Sequence, residues 1–167
     1  MAKAKPTLPA LKWNVCPGEG CHFGVWTAGA IVPVYDSWQA KREIGTLAKR
    51  ARVTGLTGVM VVYKPGMIRL DKYRPADHLK QGDAVLIYTY YGEGVSDVWF
   101  QGRVHPEFDI SWAKWPDGGG CHGDSCSAHL VDLGSHTWWV RVKLPSGLTG
   151  WVNSDKANLD GICTNAN

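Results

Sequence analysis

The chain has 167 residues, a net charge of +3 from eighteen basic and fifteen acidic side chains, and an apolar share of 44%. That length suits one domain of about 150 residues or two of roughly 60 to 80, and the apolar share excludes wholesale disorder. So weak a charge argues against nucleic acid or an anionic membrane as partner, and no apolar run approaches the ~18 residues of a membrane-spanning helix. Twenty glycines and nine prolines imply many turns and few long helices. Nine tryptophans supply large apolar areas with one polar handle each, suited to small cores and to sugar- or peptide-stacking surfaces.

Met1-Ala2-Lys3-Ala4-Lys5-Pro6 carries positive charge with no apolar stretch behind it. Either the protein is cytosolic or a signal segment has been removed. Residues 1–12 read as a disordered leader, and 1–21 as leader plus a cysteine loop. Four of the five cysteines form two Cys-x4-Cys pairs, Cys16/Cys21 and Cys121/Cys126, each enclosing glycine and an acidic residue. Such tight polar loops can close as disulfides when the Cβ atoms approach to about 4 Å. Cys163 is the odd one, able to pair with a loop member or stay free, and the pairing cannot be read from spacing. Because His22 and His122 directly follow a cysteine, a structural zinc held by Cys16, Cys21, His22, Cys121, His122 and Cys126 is an alternative. Disulfides are the preferred reading, and they would place the protein in an oxidising compartment.

From Phe23 to Tyr35, β-branched residues alternate loosely and read as strands. Asp36 to Glu43 is polar, a long hairpin loop or one helical turn. The basic stretch Lys49-Arg50-Ala51-Arg52 is expected to be a solvated loop or edge. Ile44–Leu47, Val53–Leu56 and Val59–Tyr63 read as short strands separated by glycine, and Lys64-Pro65-Gly66-Met67 as a turn. A second block opens at Leu79, with a turn at Lys80–Asp83, a strand from Ala84 to Tyr91, a break at Gly92-Glu93-Gly94 and a strand from Val98 to Val104. Residues 105–136 have little periodicity, and so long a stretch is usually functional or bridged. A hairpin then runs from Trp138 to Leu144 and, after Pro145-Ser146-Gly147, from Leu148 to Val152. Side chains alternate faces on a strand. Trp138, Val140, Val142 and Leu144 therefore share the core side, while Trp139, Arg141 and Lys143 share the other. On that side Trp139 must be covered by residues 105–136 or exposed for a ligand.

Trp138-Trp139-Val140-Arg141-Val142 with Gly147-x-x-Gly150-Trp151-Val152 resembles the terminal hairpin of bacterial SH3-like (SH3b) domains. Pro33-Val34-Tyr35-Asp36 resembles their first strand, and Ile44–Leu47 with Ala51–Leu56 a following segment, with Ala51 or Arg52 where glycine is usual. The Gly82-Asp83-x-Val85 and Gly92-Glu93-Gly94 elements are similar to ones in uncharacterised exported bacterial proteins. The resemblance implies an all-β fold of SH3-like barrels: two halves in tandem, 22–76 and 77–163 with an insertion at about 105–136, or one composite barrel. It also implies recognition of cell-wall peptides or glycans rather than catalysis.

Gly123-Asp124-Ser125 lacks the following glycines of a chymotrypsin-like nucleophile loop. The chain has no Gly-x-Ser-x-Gly elbow, phosphate loop, His-Glu-x-x-His or dinucleotide fingerprint. Glu93, presented between two glycines, suits a cationic or hydroxyl-rich ligand group, or is simply an exposed turn residue. Tyr35, Trp38, Tyr90, Trp99 and Trp139 are the candidate groove aromatics, Trp38 and Trp139 first because each lies among polar neighbours. The expectation is therefore a non-catalytic, exported module, periplasmic or secreted, binding cell-wall (peptidoglycan) or protein peptide through an aromatic groove without a cofactor. A structural or assembly protein is the alternative, beside the zinc protein above.

Overall fold

The computed structural model describes residues 4–18 and 20–163. In chain order the strands are β1 (Ala10–Trp13), β2 (Val25–Ala28), β3 (Val32–Tyr35), β4 (Glu43–Leu47), β5 (Arg52–Lys64), β6 (Gly66–Leu70) and β7 (Ala84–Gly92). They continue with β8 (Val95–Phe100), β9 (Arg103–Asp109), β10 (Ala113–Lys114), β11 (Ala128–Asp132), β12 (Ser135–Lys143), β13 (Thr149–Asn153) and β14 (Leu159–Asp160). One helical turn, α1 (Ser154–Ala157), and two short 3-10 turns complete the regular structure. The fold is all-β, and its strands form two curled half-barrel sheets.

These sheets belong to two compact units that interleave along the chain. Residues 4–10 and Val62–His136 make one, Leu11–Val61 and residues 137–163 the other. Sequential halves at 22–76 and 77–163 are thereby replaced by a discontinuous division. Strand pairing explains it. The sheet order β14-β2-β5-β12-β13-β3-β4, with β1 on β5, joins strands from both ends of the chain, and Trp151 on β13 lies opposite Tyr35 on β3.

In the discontinuous unit, β12 and β13 form the expected ribbon, with Val140 opposite Val152 and Arg141 opposite Trp151. Val140, Val142 and Val152 are fully buried while Arg141 and Lys143 are exposed. Each buried valine contributes about 1.5–3 kcal/mol relative to exposure. The ribbon ends in a capped turn: the Asn153 side chain accepts the N–H groups of Asp155 and Lys156, and Ser154 Oγ donates to Trp138 O at 2.8 Å. Two features correct the sequence reading. The leader is regular from Ala10, because β1 pairs with β5. The two short strands expected at 53–56 and 59–63 are one thirteen-residue strand. Its glycines do not break it; Gly55 lies under the Trp26 ring and Gly58 under the Trp138 indole, where a Cβ would overlap both rings.

The inserted unit carries the sheet β10-β11-β6-β7-β8-β9. Ile68, Leu70, Val85, Ile87, Val98 and Phe100 form its core. The aperiodic 105–136 stretch is built into that core rather than looped out of it: Ile110, Trp112, Ala113 and Ala128 are buried in the same cluster. Trp112 Nε1 donates to Asp109 O at 2.6 Å, and the Arg74 guanidinium stacks 4.2 Å from its ring while paired to Asp77. Ser127 N–H donates to Trp112 O, and Asp71 N–H to Ser127 O. The expected turn at Lys64–Met67 is instead a single residue, Pro65, between β5 and β6. No helix among the described residues is long and apolar enough to cross a membrane.

Candidate functional site

The β7–β8 hairpin sets one wall of a cleft in the inserted unit. Its turn requires positive φ at three successive residues, +104° at Gly92, +49° at Glu93 and +77° at Gly94. Glycine reaches that region without strain, so Glu93 is the only side chain the turn presents, and it is exposed. Gly94 also lets the backbone at Ser111 approach to 2.9 Å of where a Cβ would stand. Ile110 N–H donates to Gly94 O at 2.6 Å, locking the following segment against the hairpin.

A second turn faces it. Gly118 N–H donates to Trp115 O at 3.1 Å and Trp115 N–H to Gly119 O at 3.2 Å. Gly119 N–H donates to Asp117 Oδ1 at 2.9 Å, so the carboxylate is held by its own turn. The Cys121–Cys126 disulfide closes the next loop, with Cys121 N–H bonded to Ala113 O. Between the turns, Tyr90 and Trp115 pack with ring centroids 5.9 Å apart at 49°. Tyr90 remains 45% exposed, and its hydroxyl accepts the Gly94 N–H at 3.3 Å. The resulting cleft of about 490 Å³ is lined by Tyr90, Glu93, Ser111, Trp115, Asp117 and Leu133, with glycines between them.

Two carboxylates, a hydroxyl and an aromatic pair line this cleft, and among the described residues no basic side chain does. Such a surface can stack a ring or a sugar face on Tyr90 and Trp115 while Glu93 and Asp117 accept hydrogen bonds from hydroxyl or ammonium groups.

Of the six candidate binding residues, Tyr90 and Glu93 meet here. Trp99 stands elsewhere in the same unit, on β8 opposite Leu86 and Val104, with the Lys5 ammonium 5.9 Å from its ring. Tyr35, Trp38 and Trp139 belong to the discontinuous unit, where they fill one another's space. Trp139 is only 8% exposed, in edge-to-face contact with Tyr35 at 5.9 Å and packed with Val59, Val61, Trp38 and Trp151. Aromatic neighbours of its own unit cover it. Trp38 and Trp151 each meet Trp13 edge-on at 6.4 and 6.1 Å. Sequence reasoning missed Ser111, Trp115 and Asp117. Their signal was present in Trp115-Pro116-Asp117-Gly118-Gly119-Gly120, a ring followed at once by a carboxylate in a glycine turn.

The cysteines pair within their own loops, Cys16 with Cys21 and Cys121 with Cys126, at Cα separations of 5.5 and 5.1 Å. Their four sulfurs are thus bonded in two pairs, and among the described residues no group of three or more His, Cys, Asp or Glu side chains, the Cys16, Cys21, His22, Cys121, His122 and Cys126 set included, is placed to hold a metal ion. Cys163 is free and exposed. Ser125 is bound locally: its hydroxyl donates to His122 O at 2.6 Å and accepts the His122 N–H at 3.0 Å. No family model matches the chain, and no curated protein or solved structure matches it either.

Proposed function

We propose that the chain is a binding module of an exported protein and that it holds a cell-wall peptide or glycan in the Tyr90–Trp115 cleft. The single observation behind this reading is the cleft's composition: an open aromatic pair flanked by two carboxylates, with no basic side chain among the described residues that line it. Peptidoglycan carries both matching chemistries, sugar C–H faces for the rings and free amines and hydroxyls for the carboxylates. Two intrachain disulfides fit an oxidising compartment, periplasmic or extracellular. The likeness of the β12–β13 ribbon to SH3b hairpins supports recognition over catalysis.

The test is titration of soluble peptidoglycan fragments into the parent protein and into Trp115→Ala, Tyr90→Ala and a Glu93→Gln/Asp117→Asn double variant. Losing one ring contact, about 1.5 kcal/mol, weakens binding about tenfold. The charge-neutral double variant is expected to lose affinity mainly for amine-bearing fragments. Parent protein that ignores both fragments and intact sacculi, or binds as well without Trp115, would refute the reading and leave an assembly role.

A further inference from the structure

Three cysteines converge in the discontinuous unit, although spacing separates one of them widely from the others. Cys21 and Cys163 are partners in an isolated antiparallel β-bridge, and Cys21 is already bonded to Cys16. The bridge type follows from its hydrogen bond. His22 N–H donates to Ile162 O at 3.0 Å, so the bond joins the residues flanking the pair and Cys21 and Cys163 form the non-hydrogen-bonded kind. In that kind the Cα atoms stand about 4.5 Å apart with both side chains on one face. This lies within the span of about 4.4–6.8 Å that a disulfide can bridge. Cys163 is exposed, at the rim of a shallow cavity lined by Trp138, Ser154, Asn158 and Ile162, while Cys16 and Cys21 are half-buried.

We propose that Cys16, Cys21 and Cys163 form a thiol–disulfide exchange unit in which the bond migrates from Cys16–Cys21 to Cys21–Cys163. The Cys163 thiol gives its proton to water, and the thiolate attacks Cys21 Sγ. The Cys21–Cys163 bond forms as the Cys16–Cys21 bond breaks, and Cys16 leaves as a thiolate that takes a proton from water. Oxidation state is conserved, so no external oxidant or reductant enters. The thiolate, not the thiol, is the nucleophile in such an exchange, which therefore runs faster in alkaline than in acidic solution. The two pairings have different consequences. Cys16–Cys21 closes a six-residue loop, whereas Cys21–Cys163 ties segments from opposite ends of the unit and restrains the unfolded chain far more. Migration thus turns a local clip into a clamp on the whole unit and exposes a new thiol at Cys16.

Disulfide mapping tests this. The parent protein is incubated without reductant at pH 5 and pH 8.5, acid-quenched, alkylated and digested for mass spectrometry. Cys21–Cys163 peptides with alkylated Cys16 are expected at pH 8.5, rising with time, and absent in Cys163→Ser. A Cys16→Ser variant oxidised with glutathione disulfide is expected to form Cys21–Cys163 directly, and to melt at higher temperature than its reduced form. Cys16–Cys21 as the sole pairing of these three in the parent at both pH values would overturn the proposal. So would Cys16→Ser protein that carries glutathione on Cys21 or Cys163 instead of closing the bond.

Discussion

Two residues in this chain show how one letter can carry opposite meanings. Gly58 reads as a strand breaker, but its missing side chain makes room for the Trp138 indole, whose N–H donates to Val15 O at 2.9 Å. Gly58→Ala would drive a methyl into that hydrogen bond and against the Val15 carbonyl. A loss of about 1–3 kcal/mol is expected, read as a lower urea midpoint with altered Trp fluorescence. Gly24→Ala, whose Cβ would meet its nearest neighbour at an ordinary 3.5 Å, is the control and should cost much less. Trp139 misleads in the other direction. Its flanking Arg141 and Lys143 mark a wet face, yet the rings of Tyr35, Trp38 and Trp151 dry that face locally. Alternation along a strand says which side a ring points to. It does not say what comes from elsewhere in the chain to meet it.

At the level of elements, legibility follows sequence distance. The β12–β13 ribbon and the Gly92-Glu93-Gly94 turn were readable because their partners lie within a few residues, joined by glycine turns with one plausible register. The facing wall of the cleft was not, since Trp115 reaches Tyr90 only after the 105–120 segment folds back along the hairpin. That fold-back is pinned in part by a stack at its start. The His105 imidazole lies flat on the Phe100 ring, centroids 3.8 Å apart and 1° from parallel, and Phe108 meets both edge-on. Burial, and then the Arg103 guanidinium, hold the imidazole below its ordinary value near 6.5. As pH falls past about 6.5 the unfolded chain takes up a proton that the folded chain still refuses. Stability therefore declines from pH 7 toward the lower folded value and levels off beneath it. His105→Phe keeps the stack and removes the titration, so urea midpoints between pH 7 and 5 are expected to fall less steeply than in the parent. Parallel profiles would show that His105 contributes nothing to the pH dependence.

For the molecule as a whole, the all-β class could be read from β-branched runs punctuated by glycine, whereas the spacing of the cysteines marked two candidate loops without fixing their pairing. The interleaving could not, because no local signal distinguishes β12 as a partner of β5 from β12 as a partner of its immediate predecessors. Each unit has its own core and its own disulfide. The chain leaves and re-enters the discontinuous unit on β5 and β12, which are neighbours in one sheet. Joining Leu11–Val61 to residues 137–163 through a short glycine–serine linker is therefore expected to give a chain that still unfolds cooperatively, by near-UV circular dichroism in urea. A featureless, non-cooperative profile would show that the inserted unit is required for folding.

The same crossing sets an order on biosynthesis. Residues 62–134 leave the ribosome before β12 and β13 do, so the inserted unit can close while β5 still waits beside an open edge for strands that have not yet emerged. Until then the pairing groups and apolar face of that edge are open to solvent, and the cell meets a half-finished sheet whose completion depends on β12 and β13 emerging.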